Sequence, residues 1–187
     1  TTCTDTIKNA FWKAGIVPVG NNMTGNQPTV GLQRLQEMYN RWIGDRLFGE
    51  LTPKLLTDAT SYEAKEWELV TTDGGTVTFP TTVKDDDDGN TRAPKDGAMI
   101  VVATSGADPS IKIYDAFRAQ WLQTQGLALT DYAPLSHRFQ NQIEAYLAVM
   151  LCDIYGYPIS KTLAAQFGTA KLALATIRKR ESAQEFY

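Results

Sequence analysis

The sequence predicts a mainly α-helical protein, an antiparallel helical bundle of four to five helices with a β-rich insertion made of a hairpin and further strands. Apolar residues recur at helical spacing near both ends of the chain, whereas in the middle they alternate with polar residues at strand spacing. The 187 residues suffice for one compact domain. We therefore expect a single domain with bundle helices in residues 1–61 and 115–181, the insertion at 62–114 and a tail at 182–187.

The two N-terminal helices follow from apolar spacing and capping residues. The first is predicted over residues 4–15, with a cap at Thr4–Asp5 and an end at Gly15. The second is predicted over residues 29–48 and can begin at Thr29. The apolar stripe of the second helix comprises Leu32, Leu35, Tyr39, Trp42 and Leu47. Such a stripe requires a packing partner, which the other helices can supply.

The middle of the chain is predicted to be β-rich. The stretch KEWELVTTDGGTVTFP alternates apolar and polar residues around Asp-Gly-Gly, which is typical of a hairpin with a tight turn. Residues 98–104 and 111–114 are predicted as two further strands, joined by turn-forming residues. The segment 81–97 between the hairpin and these strands is predicted to be a long loop, functional or mobile.

Three further helices are predicted after the insertion. The first spans residues 115–126, between a cap at Asp115 and a stop at Gly126, and the others span 136–156 and 159–180. Ser136 and Ser160 are the predicted caps of these last two helices. The Gly-Tyr-Pro connection between the last two is so short that these helices must pack antiparallel.

The residues that most often carry chemistry do not form a recognisable site in the sequence. His137 and Cys152 are 15 positions apart on one predicted helix, a separation of about 22 Å, so they cannot act as a pair. We interpret His137 as a surface residue at the start of a helix and Cys152 as an apolar filler of the core. Cys3 and Cys152 lack metal-ligand spacing, which indicates free thiols in a reducing compartment.

The segment 81–97 also contains an acidic run that could suggest a metal site. Its four consecutive aspartates are Asp85, Asp86, Asp87 and Asp88. A calcium loop with its glycine at Gly89 would have Lys84 and Lys95 at the first and last ligand positions, where Asp and Glu are needed. We expect a solvated acidic loop without a metal, and we expect no catalytic residue, no cofactor and no enzymatic activity.

The net charge of −3 and the pI near 5.2 argue against a protein that coats nucleic acid. A DNA-binding regulator would need a basic recognition helix, but residues 136–155 offer only His137 and Arg138. The longest apolar run is far shorter than the roughly 20 residues that cross a bilayer. An alternative from another class stays open, namely a cytoplasmic small-ligand-binding or enzymatic domain with a pocket between the helices and the insertion.

The C-terminal segment combines cations with aromatic residues. Arg178, Lys179 and Arg180 lie in the last turns of the final predicted helix, where cations offset the negative end of the helix dipole. Phe186 and Tyr187 form an aromatic pair at the end of the sequence, and exposed aromatic residues favour docking into a pocket on a partner.

Two blocks of the sequence carry a family resemblance. The first, IKNAFWKAGIVPVGNNMTGNQPTVGLQRLQEMYNRWIGDRLFGE, consists of a helix, a glycine, a loop and a second helix. The second, LALTDYAPLSHRFQNQIEAYLAVMLCDIYGYPISKTLAAQFGTAKLAL, begins with Asp-x-Ala-Pro-Leu and continues with two helices separated by a glycine. The residues of the first block that carry the match are Leu35, Met38, Trp42, Leu47 and Gly49. Together the blocks resemble the tail accessory, or packaged-DNA stabilisation, factors of P22-like short-tailed phages, and RAPKDGAMIVVA is similar to members with an insertion.

The resemblance implies a structural head-to-tail adaptor, or connector, of a tailed bacteriophage. Such a protein is made in the cytoplasm of the bacterial host and becomes part of the virion at the head–tail junction. It forms a ring, expected to contain twelve copies, under the portal protein, where it retains packaged DNA and attaches tail or tail-tube proteins. DNA passes through the channel without specific binding, and no membrane is involved. The resemblance further implies that the C-terminal region meets the portal, and we expect the aspartate loop to face the channel or solvent.

Overall fold

The computed structural model describes residues 1–45, 52–56, 68–72, 83–84, 91–93, 96, 99–104 and 110–182. The chain divides into two compact units where a single domain was expected. The helical unit comprises residues 1–48 and 126–187, and the β unit comprises residues 49–125. The β unit is thus an insertion in the sequence of the helical unit, and it extends beyond the expected 62–114 at both ends.

Four helices form the described part of the helical unit, which confirms the prediction of a mainly helical protein. They are α1 (Cys3–Ala14), α2 (Gln27–Gly44), α3 (Ser136–Tyr155) and α4 (Lys161–Ser182).

Two of the predicted helix caps are displaced by a few residues. The first helix is capped by Thr2, whose hydroxyl accepts a hydrogen bond from the backbone N–H of Asp5, so the predicted cap at Thr4–Asp5 was too late. Before α3, Leu135 holds the cap position in a left-handed conformation with φ 62°, and Ser136 is buried instead of capping. Gly15 ends α1 as predicted, with φ 72°.

The contacts between helices define their relative directions. In the middle of α1, Asn9 Nδ2 donates to Glu144 Oε1 over 2.8 Å, and at its end the Ala14 carbonyl lies 3.8 Å from Cys152 Sγ. Because these contacts advance in the same direction along both helices, α1 and α3 run parallel. The rings of Tyr146 and Phe167 are 4.7 Å apart on opposite sides of the short turn between α3 and α4, so these two helices run antiparallel.

The second helix packs closely against the first at Gly31. A Cβ atom built on Gly31 would lie 2.2 Å from Ile7 Cγ2 and 3.3 Å from a ring carbon of Phe11. Only glycine allows the two helices to approach this closely. Further along α2, the Tyr39 hydroxyl donates to the Pro134 carbonyl over 2.6 Å, next to the start of α3. Near the end of α2, the Trp42 ring lies 5.4 Å from the Tyr146 ring, so the second half of α2 contacts α3 from its start to its middle.

The core of the helical unit is made of apolar side chains from α1, α2 and α3. The largest fully buried ones are Ile7, Phe11, Leu35, Met38, Tyr39, Ile143, Leu147 and Leu151. Burying a side chain of this size contributes about 1.5–3 kcal/mol, so these residues account for the association of the three helices.

The β unit contains a five-stranded mixed sheet and a short two-stranded one. Its strands are β1 (Thr52–Leu56), β2 (Glu68–Thr72), β3 (Val83–Lys84), β4 (Thr91–Arg92), β5 (Met99–Thr104), β6 (Ser110–Asp115) and β7 (Gln120–Gln123). The larger sheet has the order β1-β2-β5-β6-β7, with β1, β2 and β5 parallel and β5, β6 and β7 antiparallel. The smaller sheet pairs β3 with β4 in antiparallel fashion. The predicted strands at 98–104 and 111–114 correspond to β5 and β6.

The predicted helix at 115–126 is wrong. Asp115 caps a turn and not a helix, because its Oδ1 accepts a hydrogen bond from the backbone N–H of Arg118 over 3.0 Å. Its Oδ2 forms an ion pair with the Arg118 guanidinium at 2.6 Å. Ala119 then adopts φ 53°, which a helix cannot contain. The chain returns as β7, in which Trp121 faces Tyr114 across the strands with a ring separation of 5.1 Å.

Other differences concern the ends and the centre of the β unit. No strand was predicted at Thr52–Leu56, which was placed in the helical segment 1–61. It forms β1, an edge strand, where Pro53 is tolerated. The predicted turn of the hairpin at 73–75 lies outside the described residues, and β2 is paired on both sides, with β1 and β5. The segment predicted as a loop contains the two short strands β3 and β4.

Candidate functional site

The division into units reveals a charge separation that the net charge conceals. The helical unit contains 11 basic and 8 acidic side chains, a net charge of +3, and the β unit contains 7 basic and 13 acidic ones, a net charge of −6. Within the helical unit the cations concentrate in residues 154–180, which hold five basic side chains and no acidic one. Five of the eleven basic residues of the helical unit thus belong to one element, α4.

The fourth helix buries one narrow stripe and exposes the rest of its described surface. The described residues of α4 that are buried or half-buried are Leu163, Phe167, Ala170, Ala173 and Leu174. Leu163, Phe167, Ala170 and Leu174 recur at positions i, i+4, i+7 and i+11, on the side where the Phe167 ring contacts Tyr146 of α3. On the opposite side, exposed residues form a surface that we call the outer face of α4, made of Lys161, Ala165, Gly168 and Leu172, with Lys171 at its edge. Leu172, the last of these residues along the helix, is 72% exposed. The outer face is thus partly apolar and basic.

The turn before α4 fixes where the outer face begins. Gly156 ends α3 in a left-handed conformation with φ 66°, and the Ser160 hydroxyl accepts from the backbone N–H of Leu163 over 3.1 Å. This cap confirms the predicted role of Ser160. Exposed apolar residues surround the turn, because Tyr157 and Ile159 are 45% and 49% exposed. The apolar surface of α4 therefore extends to this end of the helical unit.

A cluster of polar and charged side chains lies between α1 and α3. The carboxylate of Glu144 is only 4% exposed and pairs with the Lys13 ammonium at 3.2 Å. Its Oε1 also accepts hydrogen bonds from Asn9 Nδ2 at 2.8 Å and Gln140 Nε2 at 2.9 Å. A buried carboxylate needs such partners, since breaking a buried ion pair costs about 3–5 kcal/mol. This cluster stabilises the pairing of α1 with α3, and its enclosure leaves little of Glu144 accessible to a substrate.

The remaining buried titratable groups of the helical unit also serve packing. Burial raises the pKa of the Cys3 thiol to about 12, with a smaller contribution from the nearby Asp131 carboxylate. Burial also raises the pKa of Tyr39 far above its usual range, and its hydroxyl is occupied by the Pro134 carbonyl. Cys152 is 1% exposed, and burial raises its pKa as well. Thiols with raised pKa values are poor nucleophiles, so neither cysteine is activated.

The structure separates the residues that the sequence singled out. His137 was expected at the surface but is half-buried as the second residue of α3. Cys152 is buried near the other end of that helix, in agreement with its interpretation as an apolar filler. Arg178, Lys179 and Arg180 lie within α4.

The other predicted interaction residues are outside the described part of the chain. They are Phe186, Tyr187, Asp85, Asp86, Asp87 and Asp88. The aspartates fall in the sequence between the paired strands β3 and β4.

Two features of the site were not predicted from the sequence. Glu144 was not singled out, because its partners Asn9 and Lys13 are more than 130 residues away in the sequence. A polar glutamate inside an otherwise apolar helix stripe was the available signal. The outer face of α4 was not predicted, although the absence of acidic residues from 154 to 180 could have marked it.

No protein-family model matches the sequence, and no curated protein matches it. No helix among the described residues is both long and apolar enough to cross a membrane.

Proposed function

We propose that this protein is a structural head-to-tail adaptor of a tailed bacteriophage, which forms a ring under the portal, retains packaged DNA and attaches the tail. The observation that carries the proposal is the placement of the two sequence blocks that resemble the tail accessory factors of P22-like phages. Apart from Gly49 and Glu50, both blocks fall in the helical unit, the first on α1 and α2 and the second on α3 and α4. The β unit lies between them in the sequence, as an insertion in such a protein would.

The buried residues support the same proposal. Leu35, Met38 and Trp42, which carry the match in the first block, are at most 3% exposed and belong to the core of the helical unit. These three of the five matching residues therefore help to specify how the helices pack. We propose on this basis that the helical unit is the antiparallel bundle of the adaptor family and that the β unit is an appendage to it.

The negative net charge supports the expectation that DNA passes through the ring without specific binding. A ring through which DNA passes should not bind phosphates tightly, and a protein with a net charge of −3 meets this requirement. The cations of α4 are then available for carboxylates on a protein partner. We propose that Arg178, Lys179 and Arg180, followed by Phe186 and Tyr187, dock onto the portal, and that Asp85–Asp88 face the channel or solvent.

Deletion of residues 182–187 tests this proposal, because it removes the aromatic pair and leaves most of α4 in place. The deletion should leave the helical circular dichroism unchanged and raise the protein concentration needed for assembly onto a purified portal complex by roughly tenfold or more, the loss expected when an aromatic anchor worth about 2 kcal/mol is removed. The matched control replaces Asp85, Asp86, Asp87 and Asp88 by asparagine, and assembly should then change less. Assembly of the deleted protein at the wild-type concentration would show that the portal contact lies elsewhere.

The alternative of a ligand-binding or enzymatic domain finds less support. Among the described residues of the helical unit, the buried titratable groups are either tied to protein partners, as Glu144 and Tyr39 are, or have raised pKa values, as Cys3 and Cys152 do. A small molecule that remains bound to the intact protein in a native mass spectrum would favour this alternative.

A further inference from the structure

We propose that Lys13 and Asn141 react with each other in the folded chain to form an isopeptide bond, with Glu144 as the catalytic proton carrier. The bond joins α1 to α3 covalently and releases one molecule of ammonia. The reaction occurs once in each chain, so it does not make the protein an enzyme. It goes beyond the adaptor function and does not depend on it, because all the reacting groups belong to the helical unit of a single chain.

The three groups that this reaction requires lie close together between α1 and α3. Lys13 Nζ is 3.4 Å from Asn141 Oδ1 and 3.2 Å from Glu144 Oε2. The amine is the nucleophile, the side-chain amide is the electrophile and the carboxylate is the base. The Asn141 carbonyl carbon is about 1.2 Å from Oδ1, so a small rotation of the Lys13 side chain brings Nζ within the roughly 3–3.5 Å of a reactive contact.

The carboxylate is held in place by its neighbours. The Glu144 side chain is 4% exposed, and its Oε1 accepts hydrogen bonds from Asn9 Nδ2 at 2.8 Å and from Gln140 Nε2 at 2.9 Å. The Gln140 amide is fixed in turn, because its Oε1 accepts a hydrogen bond from the Thr1 hydroxyl over 2.9 Å. Asn9 and Gln140 are therefore positioning residues, which leave Oε2 directed at the Lys13 amine. A base that is held in this way needs little reorganisation during the reaction.

The reaction balances without an oxidant or a cofactor. Glu144 takes a proton from the Lys13 ammonium, and the neutral Nζ attacks Cγ of Asn141 to form the Nζ–Cγ bond. Glu144 then gives its proton to Nδ2 and takes the second proton from Nζ, while the Cγ–Nδ2 bond breaks and ammonia leaves. The ammonia takes the last proton from Glu144, which restores the carboxylate. Asn141 and Glu144 are three residues apart on α3, so their side chains are neighbours and the proton has a short path.

The surroundings favour the product. Asn141 is exposed, so the ammonia can diffuse into solvent and the reverse reaction is suppressed by dilution. The linked residues are 128 positions apart, and the bond therefore encloses α2 and the whole β unit in a covalent loop. A cross-link that closes a long loop restricts the unfolded chain, so linked chains should unfold at a higher guanidinium concentration than unlinked ones.

Mass spectrometry of the freshly purified and the incubated full chain tests the proposal. The intact mass should fall by one ammonia, about 17 Da, in a fraction of chains that grows over about a week. Trypsin should then release a peptide that joins residues 9–34 to residues 139–161, because it cannot cleave at an amidated Lys13. Loss of ammonia without this joined peptide would indicate that Asn141 has cyclised or that Asn9 has reacted, and it would overturn the proposal. An unchanged mass after that time would also overturn it.

Two variants separate the reaction from the ion pair. Lys13→Arg keeps a cation beside Glu144, but a guanidinium stays protonated and is not a nucleophile, so this variant should fold and yield no joined peptide. Asn141→Ala should also remain unlinked. Its matched control, Asn40→Ala, removes an exposed amide from α2 and should link at the wild-type rate. Equal linking of the two alanine variants would contradict the assignment of Asn141.

The role of the carboxylate and of the fold can be tested in the same way. Glu144→Gln should slow the appearance of the joined peptide by about a hundredfold or more, the usual contribution of a positioned base. Circular dichroism checks that this variant is folded, and linking of the folded variant at the wild-type rate would refute the role of Glu144. The wild-type chain kept unfolded in guanidinium chloride should not link. Equal linking of folded and unfolded chains would show that the fold does not assemble this site.

Discussion

Replacing Gly31 by alanine tests the packing of α1 against α2, on which the helical unit depends. The new methyl group would lie 2.2 Å from Ile7 Cγ2, where a normal contact is about 3.5–4.0 Å, and Ile7 is fully buried and cannot swing into solvent. Overpacking of this kind costs about 1–3 kcal/mol. Alanine also stabilises a helix by about 1 kcal/mol relative to glycine. Because this clash should cost close to 3 kcal/mol, we expect Gly31→Ala to lower the free energy of unfolding by about 1–2 kcal/mol.

Gly168→Ala is the matched control, because it places the same methyl group in α4 with no atom within 4 Å. The helix preference then acts alone, and this variant should gain about 0.5–1 kcal/mol. Urea unfolding followed by the helical circular dichroism signal measures both values. The two variants should differ by about 2–3 kcal/mol, with opposite signs. A Gly31→Ala protein as stable as the Gly168→Ala protein would refute the close approach of α1 and α2.

Three further predictions concern buried and capping groups. Lys13→Met should lower the free energy of unfolding in urea by about 2–4 kcal/mol, because the Glu144 carboxylate is 4% exposed and would lose its cation. Glu144→Gln should cost less, because Lys13 is 24% exposed and keeps access to water. Equal costs of the two variants would contradict the role of this cluster. The hydrogen bond from the Thr2 hydroxyl lowers the pKa of Asp5 in the folded protein. The stabilisation that this carboxylate provides is therefore present above its unfolded pKa near 4, and it is lost as the pH falls through the lower folded pKa. Thermal melts should therefore separate the wild type from Asp5→Asn at neutral pH and not near pH 2, and a gap that persists in acid would argue against the cap. Because burial raises the pKa of Cys3 to about 12, a thiol reagent at pH 8 should modify it only after unfolding, and rapid labelling of the folded protein would disprove this burial.

The helices were predictable because local sequence determines them. The apolar spacing in α1, α3 and α4 extends over several turns, and the predicted bounds of these helices differ from the observed ones by at most two residues. Gly15 and Ser160 act at the helix ends as their residue types favour. The cap of α1 was misplaced because Thr2, Thr4 and Asp5 offer similar side chains, and only the capping box selects Thr2.

The strands that were missed depend on distant partners. The residues of β7 include good helix formers, and the turn before it is decided by the side chain of Asp115 and the positive φ of Ala119. The first strand, Thr52–Leu56, forms because β2 offers a free edge, which no pattern within five residues can indicate. Strand pairing is non-local, and tertiary context therefore overrides propensity.

Only the amino-acid composition of the candidate site could be predicted from the sequence. The cations at the end of α4 were visible in the sequence, but which side of the helix remains exposed depends on its packing against α3. The Glu144 cluster joins residues from both ends of the chain, so it could not be found before the pairing of α1 with α3 was known.

Electron microscopy of the full chain mixed with a purified portal complex tests the central claim, the adaptor function, most directly. The account predicts a closed ring, expected to contain twelve copies, attached to one end of the portal around an open channel. The helical units should form the body of that ring. Portal particles that carry no added ring at a saturating concentration of the folded chain would contradict the adaptor function.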